Sequence, residues 1–232
     1  MKYQIIVDST FYLSEEELKK YDIKQASLNI IDKDQTYKEL EVNNEFIQSL
    51  LSKGHRLTTS QPSPGEFFEL YQKALEKGAE KVFVITLAPP LSGTYQSATL
   101  AKKMLDDPNK VHIFESKMAA FGNEMLALEL AKMAEDDKTV DEIVDRIEKL
   151  NNKSELIFTV ESLISLFRSG RLSRAKAAIG TVLRVKPLIQ MVDGKLDLFK
   201  SARTHKKVVA NIIERIKEST VGAKKIHFKI LI

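Results

Sequence analysis

Lys81-Val82-Phe83-Val84-Ile85-Thr86-Leu87, followed by Ala88-Pro89-Pro90-Leu91-Ser92-Gly93-Thr94-Tyr95, decides the fold class. The first seven residues are almost continuously apolar and lack the polar alternation of a half-exposed strand. That pattern predicts a central parallel strand covered on both faces. The paired prolines stop it, and the small and hydroxyl residues beyond them lead into helical sequence. Strand, loop and helix in that order form the repeating unit of an open α/β sheet.

The same grammar extends in both directions. Upstream, Tyr3-Gln4-Ile5-Ile6-Val7 is a short strand that stops at the turn-forming cluster Asp8-Ser9-Thr10. Ser14 ahead of Glu15-Glu16-Glu17 reads as a helix N-cap with acids in the first turn. A strand is expected over about 25–31, and a helix over 44–53 with Phe46, Leu50 and Leu51 on one side. The stretch Leu57-Thr58-Thr59-Ser60-Gln61-Pro62 reads as a loop, because hydroxyls, an amide and a proline suit no element interior. It ends in a helix start, with Ser63 as N-cap, Pro64 at the first position and Glu66 completing a capping box. Phe67, Phe68, Leu70, Tyr71 and Leu75 form that helix's apolar face, and Gly78 closes it.

Downstream, a strand over 111–114 runs into Glu115-Ser116-Lys117, and helices follow over 118–134 and 139–150. After Asn151-Asn152-Lys153 the pattern changes. A strand over 156–160 precedes helical stretches at 162–167 and 175–183. Strands at 187–192 and 196–199 flank Asp193-Gly194, a strong two-residue hairpin signal. A helix over 204–217 and a strand over 226–232 complete the chain. The expectation is an α/β protein of two domains. Residues 1–151 form an open, mostly parallel sheet with helices on both faces, and residues 152–232 form a mixed α/β domain.

Composition narrows the function classes. At 232 residues, 43% apolar and 29% charged, the chain is an ordinary globular protein long enough for a sizeable core. No apolar run is long enough to span a bilayer, and Met1-Lys2-Tyr3-Gln4 enters a strand directly, so no signal peptide is expected. Cysteine is absent, which excludes disulfides and thiolate metal sites and suits a cytoplasmic protein. The net charge of +4 is unevenly spread: eleven Lys and Arg residues lie between Arg168 and Lys207, against only Asp193 and Asp197. A basic surface confined to one segment suggests docking of an anionic partner; the competing reading is a solvated face with no partner. Nucleic acid fits poorly, because interleaved aromatics and helix-turn-helix grammar are missing.

Ligands of open parallel sheets bind beyond the carboxyl ends of the strands. Two hydroxyl-rich segments are placed there by this reading, Thr58-Thr59-Ser60 and Ser92-Gly93-Thr94. The second opens a helix, whose free N–H groups and dipole favour an anion, and Gly93 permits close approach to the backbone. A carboxylate could accept hydrogen bonds from Thr59, Ser92 and nearby amides, or the hydroxyls could serve only as helix caps and turn closures. Catalytic signatures are lacking: there is no GxGxxG, no P-loop and no GxSxG elbow, and His55, His112, His205 and His227 show no metal-ligand spacing. Asp8, at the end of the first strand, is placed to hold a metal, orient a hydroxyl, or order Ser9 and Thr10 as a cap.

The chain resembles the DegV family, whose members include the fatty-acid-binding subunit of bacterial fatty acid kinase. The resemblance rests on motifs in register along nearly the whole chain. They run through Val7-Asp8-Ser9-Thr10, Thr59-Ser60-Gln61-Pro62-Ser63, Leu91-Ser92-Gly93-Thr94-Tyr95-Gln96-Ser97-Ala98, Glu115-Ser116-Lys117 and Ser169-Gly170-Arg171-Leu172-Ser173. Lys186-Pro187-Leu188-Ile189, Asp193-Gly194-Lys195 and Ala202-Arg203-Thr204-His205-Lys206-Lys207 continue it. The resemblance implies a lipid-binding protein, not an enzyme. A long-chain fatty acid such as palmitate would be its only ligand, with Thr59 and Ser92 on the carboxylate, Ser60, Gly93 and Thr94 beside them, and an apolar tunnel for the tail. It further implies presentation of the acid to a separate ATP-using kinase subunit that forms the acyl-phosphate for phospholipid synthesis. Arg171, Arg203, Lys206 and Lys207 would be candidate docking residues for that partner. No metal, no cofactor and no stable membrane insertion are expected. The alternative is a small-molecule transferase or kinase using Asp8 and the hydroxyl segments on phosphate. Two departures stand out. Glu115 replaces the family's Asp, and Ile232 falls some tens of residues before the family's usual end, which carries a His- and Gly-rich loop. The second domain is therefore expected to be incomplete.

Overall fold

A computed structural model describes residues 2–161, 163–172 and 185–230, and the chain divides into two compact units, Met1–Ser154 and Glu155–Ile232. In the first unit the elements run β1 (Tyr3–Asp8), α1 (Glu15–Lys20), β2 (Lys24–Ala26), β3 (Asn29–Asp32), β4 (Gln35–Lys38), α2 (Asn44–Ser52), β5 (Thr58–Ser60) and α3 (Pro64–Glu76). They continue with β6 (Lys81–Ile85), α4 (Thr94–Lys103), β7 (Val111–Phe114), α5 (Phe121–Glu135) and α6 (Val140–Lys153). In the second unit the described elements are β8 (Ile157–Thr159), α7 (Ile164–Arg168), β9 (Lys186–Val192), β10 (Lys195–Ala202) and α8 (His205–Ser219).

The main sheet has the order β2-β1-β6-β7 with every pairing parallel. Successive side chains of a strand point to opposite faces, and both faces here are apolar. Tyr3, Ile5, Val7, Phe83, Ile85 and Phe114 pack on one side with Leu126, Leu130, Ile143 and Ile147 of α5 and α6. Ile6, Val82, Val84 and Val111 pack on the other with Phe67 and Tyr71 of α3 and with Ala98 and Ala101 of α4. This two-sided burial is why β6 reads as a continuous apolar run. The α/β class with helices on both faces of a parallel sheet is as the sequence implied.

Strand and helix boundaries depart from expectation where side chains capture backbone groups. One strand was expected over 25–31, but β2 pairs with β1 while β3 joins a separate antiparallel sheet of order β4-β3-β5. The break falls at Ser27-Leu28, where the Ser27 N–H donates to the Glu66 carboxylate at 2.6 Å and the Leu28 N–H to the Ser9 hydroxyl at 2.9 Å. The Ser63 cap forms, with the Glu66 N–H donating to Ser63 Oγ at 3.1 Å. Glu66's carboxylate, however, serves Ser27 and Lys38 rather than closing the box. Leu51, expected with Phe46 and Leu50 on an apolar side, is 53% exposed.

The helix expected from residue 118 starts at Phe121. Ser116 holds the preceding turn by accepting from the Met118 N–H at 2.9 Å and donating to Asn123, and Ala120 has φ +49.

In the second unit the hairpin is present: β9 and β10 pair antiparallel with Val192 opposite Lys195, and Asp193 and Gly194 both have positive φ. That is the backbone a two-residue turn of matching twist requires. β8 completes the order β10-β9-β8. The strand expected over 226–232 is not formed in its described part: residues 226–230 adopt no strand, and Phe228 and Ile230 are 57% and 80% exposed. Alternating Ile226, Phe228 and Ile230 carry the local preference, but a strand exists only with a ladder partner. The helix expected over 175–183 lies outside the described residues.

Candidate functional site

The carboxyl ends of β1 and β6 are tied together by one carboxylate. Asp8 is fully buried, accepts from the Leu87 N–H at 2.7 Å across the sheet, and accepts from the N–H of Thr10 at 2.9 Å and from its hydroxyl. Of the roles open to Asp8, ordering the 8–10 turn is the one the hydrogen bonds show. Burial raises its pKa to about 6, although the bonds from Thr10 and Leu87 favour the charged form. Ser9 beside it donates to the Glu39 carboxylate and accepts from Leu28.

A raised carboxyl pKa has a definite consequence for stability. The contribution is fully present below the unfolded value of 3.8 and is lost as pH rises through about 6. Lowering pH from 7.5 to 5 should therefore stabilise the native chain by about 1.4 kcal/mol relative to Asp8→Asn, which cannot titrate. Urea titrations of both proteins at the two pH values check this; parallel pH dependence would show that Asp8 titrates normally.

Ser92, Gly93 and Thr94 follow β6 and open α4. Ser92 and Thr94 share a hydrogen bond of 2.9 Å between their hydroxyls, Thr94 is fully buried, and Ser92 is half-buried. Gly93 is the N-cap and supplies no side-chain acceptor. The first N–H groups of α4 are thus left without a side-chain cap, the arrangement in which a helix start accepts an anion.

Thr59 and Ser60 are placed differently from the sequence reading. They lie not in a loop but on β5, a three-residue edge strand paired antiparallel to β3, with Thr59 opposite Ile30 and Ser60 opposite Asn29. Hydroxyl side chains suit this edge because Thr58 and Thr59 stay exposed while their backbone pairs with one neighbour only. Asn29 Nδ2 donates to Ser60 Oγ at 3.2 Å and to the Gln61 carbonyl at 3.4 Å, which anchors the strand's exit.

The two hydroxyl segments meet through Gln61 and Gly93. A Cβ added to Gly93 would lie 3.1 Å from both the amide carbon and Nε2 of Gln61. The absent side chain at Gly93 leaves the space that the Gln61 amide occupies. Asn29 and Gln61 were not singled out from sequence; an Asn set between the apolar Leu28 and Ile30 was the available signal.

Two surface grooves, of about 430 and 320 Å³, lie elsewhere. The larger is lined by Ser27, Lys38, Glu41, Glu66 and Glu69 among others, the smaller by Glu155, Gln190, Met191 and Arg215 among others. Neither is lined by Thr59 or Ser92. Among the described residues no His, Asp and Glu side chains group to hold a metal ion, and no helix is long and apolar enough to cross a membrane.

The basic candidates lie in the second unit and do not form one cluster. Arg203, Lys206 and Lys207 are exposed at the junction of β10 and α8. Arg171 precedes Leu172, which bridges to Leu196 near the other end of β10. From Leu196 to Arg203 a strand covers about 23 Å. Arg171 also donates to the Ser169 carbonyl at 2.5 Å.

Comparison with known proteins places this geometry in context. A DegV domain-containing protein of Caldanaerobacter subterraneus subsp. tengcongensis is 35% identical over 221 residues, 95% of this chain and 78% of the relative. The structure of a fatty-acid-binding DegV family protein from Thermus thermophilus superposes with a TM-score of 0.89 at 28% identity, covering 96% of this chain and 79% of that one. A stearic-acid-binding protein from Eubacterium ventriosum gives 0.87 at 27% identity, covering 96% and 78%. The family model described as an uncharacterised protein of the DegV family matches residues 2–231, and with that match added to the shared fold and relatives, the chain belongs to the DegV family.

Proposed function

We propose that this protein binds one long-chain fatty acid, with the carboxylate held by Thr59 and Ser92 and flanked by Ser60, Gly93 and Thr94. The observation that carries the proposal is the contact of Gln61 with Gly93, which sets the two hydroxyl segments side by side at the uncapped start of α4. Support also comes from the similar structures, which are described as binding fatty acids, stearic acid among them. Neutral hydroxyls and backbone N–H groups fix the orientation of the acid without the ion pair that an Arg clamp would make. The carboxylate thus stays open to attack on a nucleotide phosphate, which suits a carrier rather than an enzyme.

On this reading the acid is presented to a separate ATP-dependent kinase subunit that forms the acyl-phosphate, and an apolar tunnel holds the tail. Arg203, Lys206 and Lys207 at the start of α8, with Arg171, supply the docking charge. Cations in the first turn oppose the helix dipole, a local cost that a docking role would explain.

Hydrogen bonds to a charged group contribute about 1.5–3 kcal/mol each when buried and less when exposed, so Thr59→Ala with Ser92→Ala should weaken palmitate on the order of 100-fold. Displacement of a fluorescent fatty acid measures the affinity, and an unchanged circular dichroism spectrum shows the fold is kept. Native affinity in the double variant would remove these two hydroxyls from the site.

A further inference from the structure

At the contact between the two segments, the side-chain amide of exposed Gln61 has no hydrogen-bond partner among the described residues. Gln61 follows β5, and its backbone is fixed from both sides, by the Asn29 side chain on its carbonyl and by buried Pro62 after it. Its side-chain amide lies against Gly93, whose chain neighbours Ser92 and Thr94 carry hydroxyls. Among the described residues that amide makes no hydrogen bond within the protein, although the chain before it is pinned in place. A Cβ at Gly93 would crowd that amide, at 3.1 Å from its carbon and its nitrogen. Gly93 has φ −73, a backbone any residue adopts, so the reason for glycine here is the space the amide fills.

We propose that Gln61 is a third contact to the ligand's head group, its Nε2 donating to the ionised carboxylate beside Thr59 and Ser92. This rests on the carboxylate site described above and deepens it. An amide suits the position chemically because it donates without adding charge, so the acid is oriented while its negative charge is left unneutralised. It also confers class selectivity. An ionised acid gains more from the donor than an alcohol of the same chain length, because hydrogen bonds with a charged partner are roughly twice as strong as neutral ones. Gly93 is the companion positioning residue. A methyl there would push the amide by a few tenths of an ångström.

The test compares palmitate with hexadecanol, which keeps the chain and removes the charge. Gln61→Ala should bind palmitate about tenfold more weakly, the loss of one hydrogen bond to a charged group at a partly exposed site. Its affinity for hexadecanol should hardly change. Gln61→Glu should lose more palmitate affinity at neutral pH, because two carboxylates then face each other, and should regain part of it as pH falls and one is protonated. Gly93→Ala should shift palmitate affinity in the same direction as Gln61→Ala, by less. Palmitate affinity at the native level in both Gln61→Ala and Gln61→Glu, with Thr59→Ala plus Ser92→Ala still impaired, would overturn the role of Gln61 and leave the carboxylate site standing. Native affinity in the Thr59 and Ser92 double variant would overturn both together.

Discussion

Replacing palmitate by decanoate should weaken binding by two to three orders of magnitude. Burying a methylene contributes about 0.8 kcal/mol, so removing six forfeits about 5 kcal/mol of gross transfer energy. The shorter chain also loses less freedom on binding, which offsets part of that and leaves a net of about 3–4 kcal/mol. This exceeds the effect expected from any one head-group contact, so the tail supplies strength and the hydroxyls supply direction. Isothermal titration with a series of acids from eight to eighteen carbons measures it. A flat series would mean that the head group dominates and that no enclosed tail site exists.

Phe83→Ala should destabilise the first unit by about 3–5 kcal/mol, the range for emptying a large aromatic position in a close-packed core. Phe83 is fully buried on β6 at the centre of the main sheet, edge-on to Tyr3 at 5.4 Å between ring centroids and stacked on Phe114 at 6.0 Å. These rings come from β1, β6 and β7, so their loss loosens three neighbouring strands at once. The ends of β1 and β6 carry Asp8 and the Leu87 N–H, and α4 packs against the sheet's other face through Ala98 and Ala101. The substitution should therefore lower palmitate affinity as well as the midpoint of urea unfolding followed by circular dichroism. A midpoint within the range of ordinary surface changes, about 0.5 kcal/mol, would mean the space is refilled by neighbouring side chains.

The basic segment deserves a physical explanation beyond its net charge. Residues 155–232 hold sixteen Lys and Arg against six Asp and Glu, whereas residues 1–154 hold twenty against twenty-six. The difference from the whole-chain balance of thirty-six against thirty-two follows directly: +10 in one part and −6 in the other sum to +4. Such polarity gives an anionic ligand no long-range attraction to the acidic part, where the carboxylate site is proposed, so affinity there has to come from contacts within the site. It also makes any docking at the basic part sensitive to salt.

The sequence by itself determined the parallel sheet and its helices, because the apolar periodicities of β1, β6, α3 and α6 are local and each face had only one way to be buried. It determined the caps at Ser14 and Ser63 and the Asp193-Gly194 turn for the same reason: a cap or tight turn involves residues three or four apart. Family motifs also pointed to Thr59 and Ser92. Only the tertiary structure decided that Thr59 rides on an edge strand, since β5 exists by virtue of β3, some thirty residues earlier. The split of residues 25–31 between two sheets, the diversion of Glu66 from its capping box to Ser27, and the lack of a strand over 226–230 were likewise set by partners distant in the chain. The fit of Gln61 over Gly93 and the burial that raises the Asp8 pKa belong with these. Periodicity reports which face of an element is apolar; which groups meet across the sheet, and at what distance, depends on packing that no local stretch of chain contains.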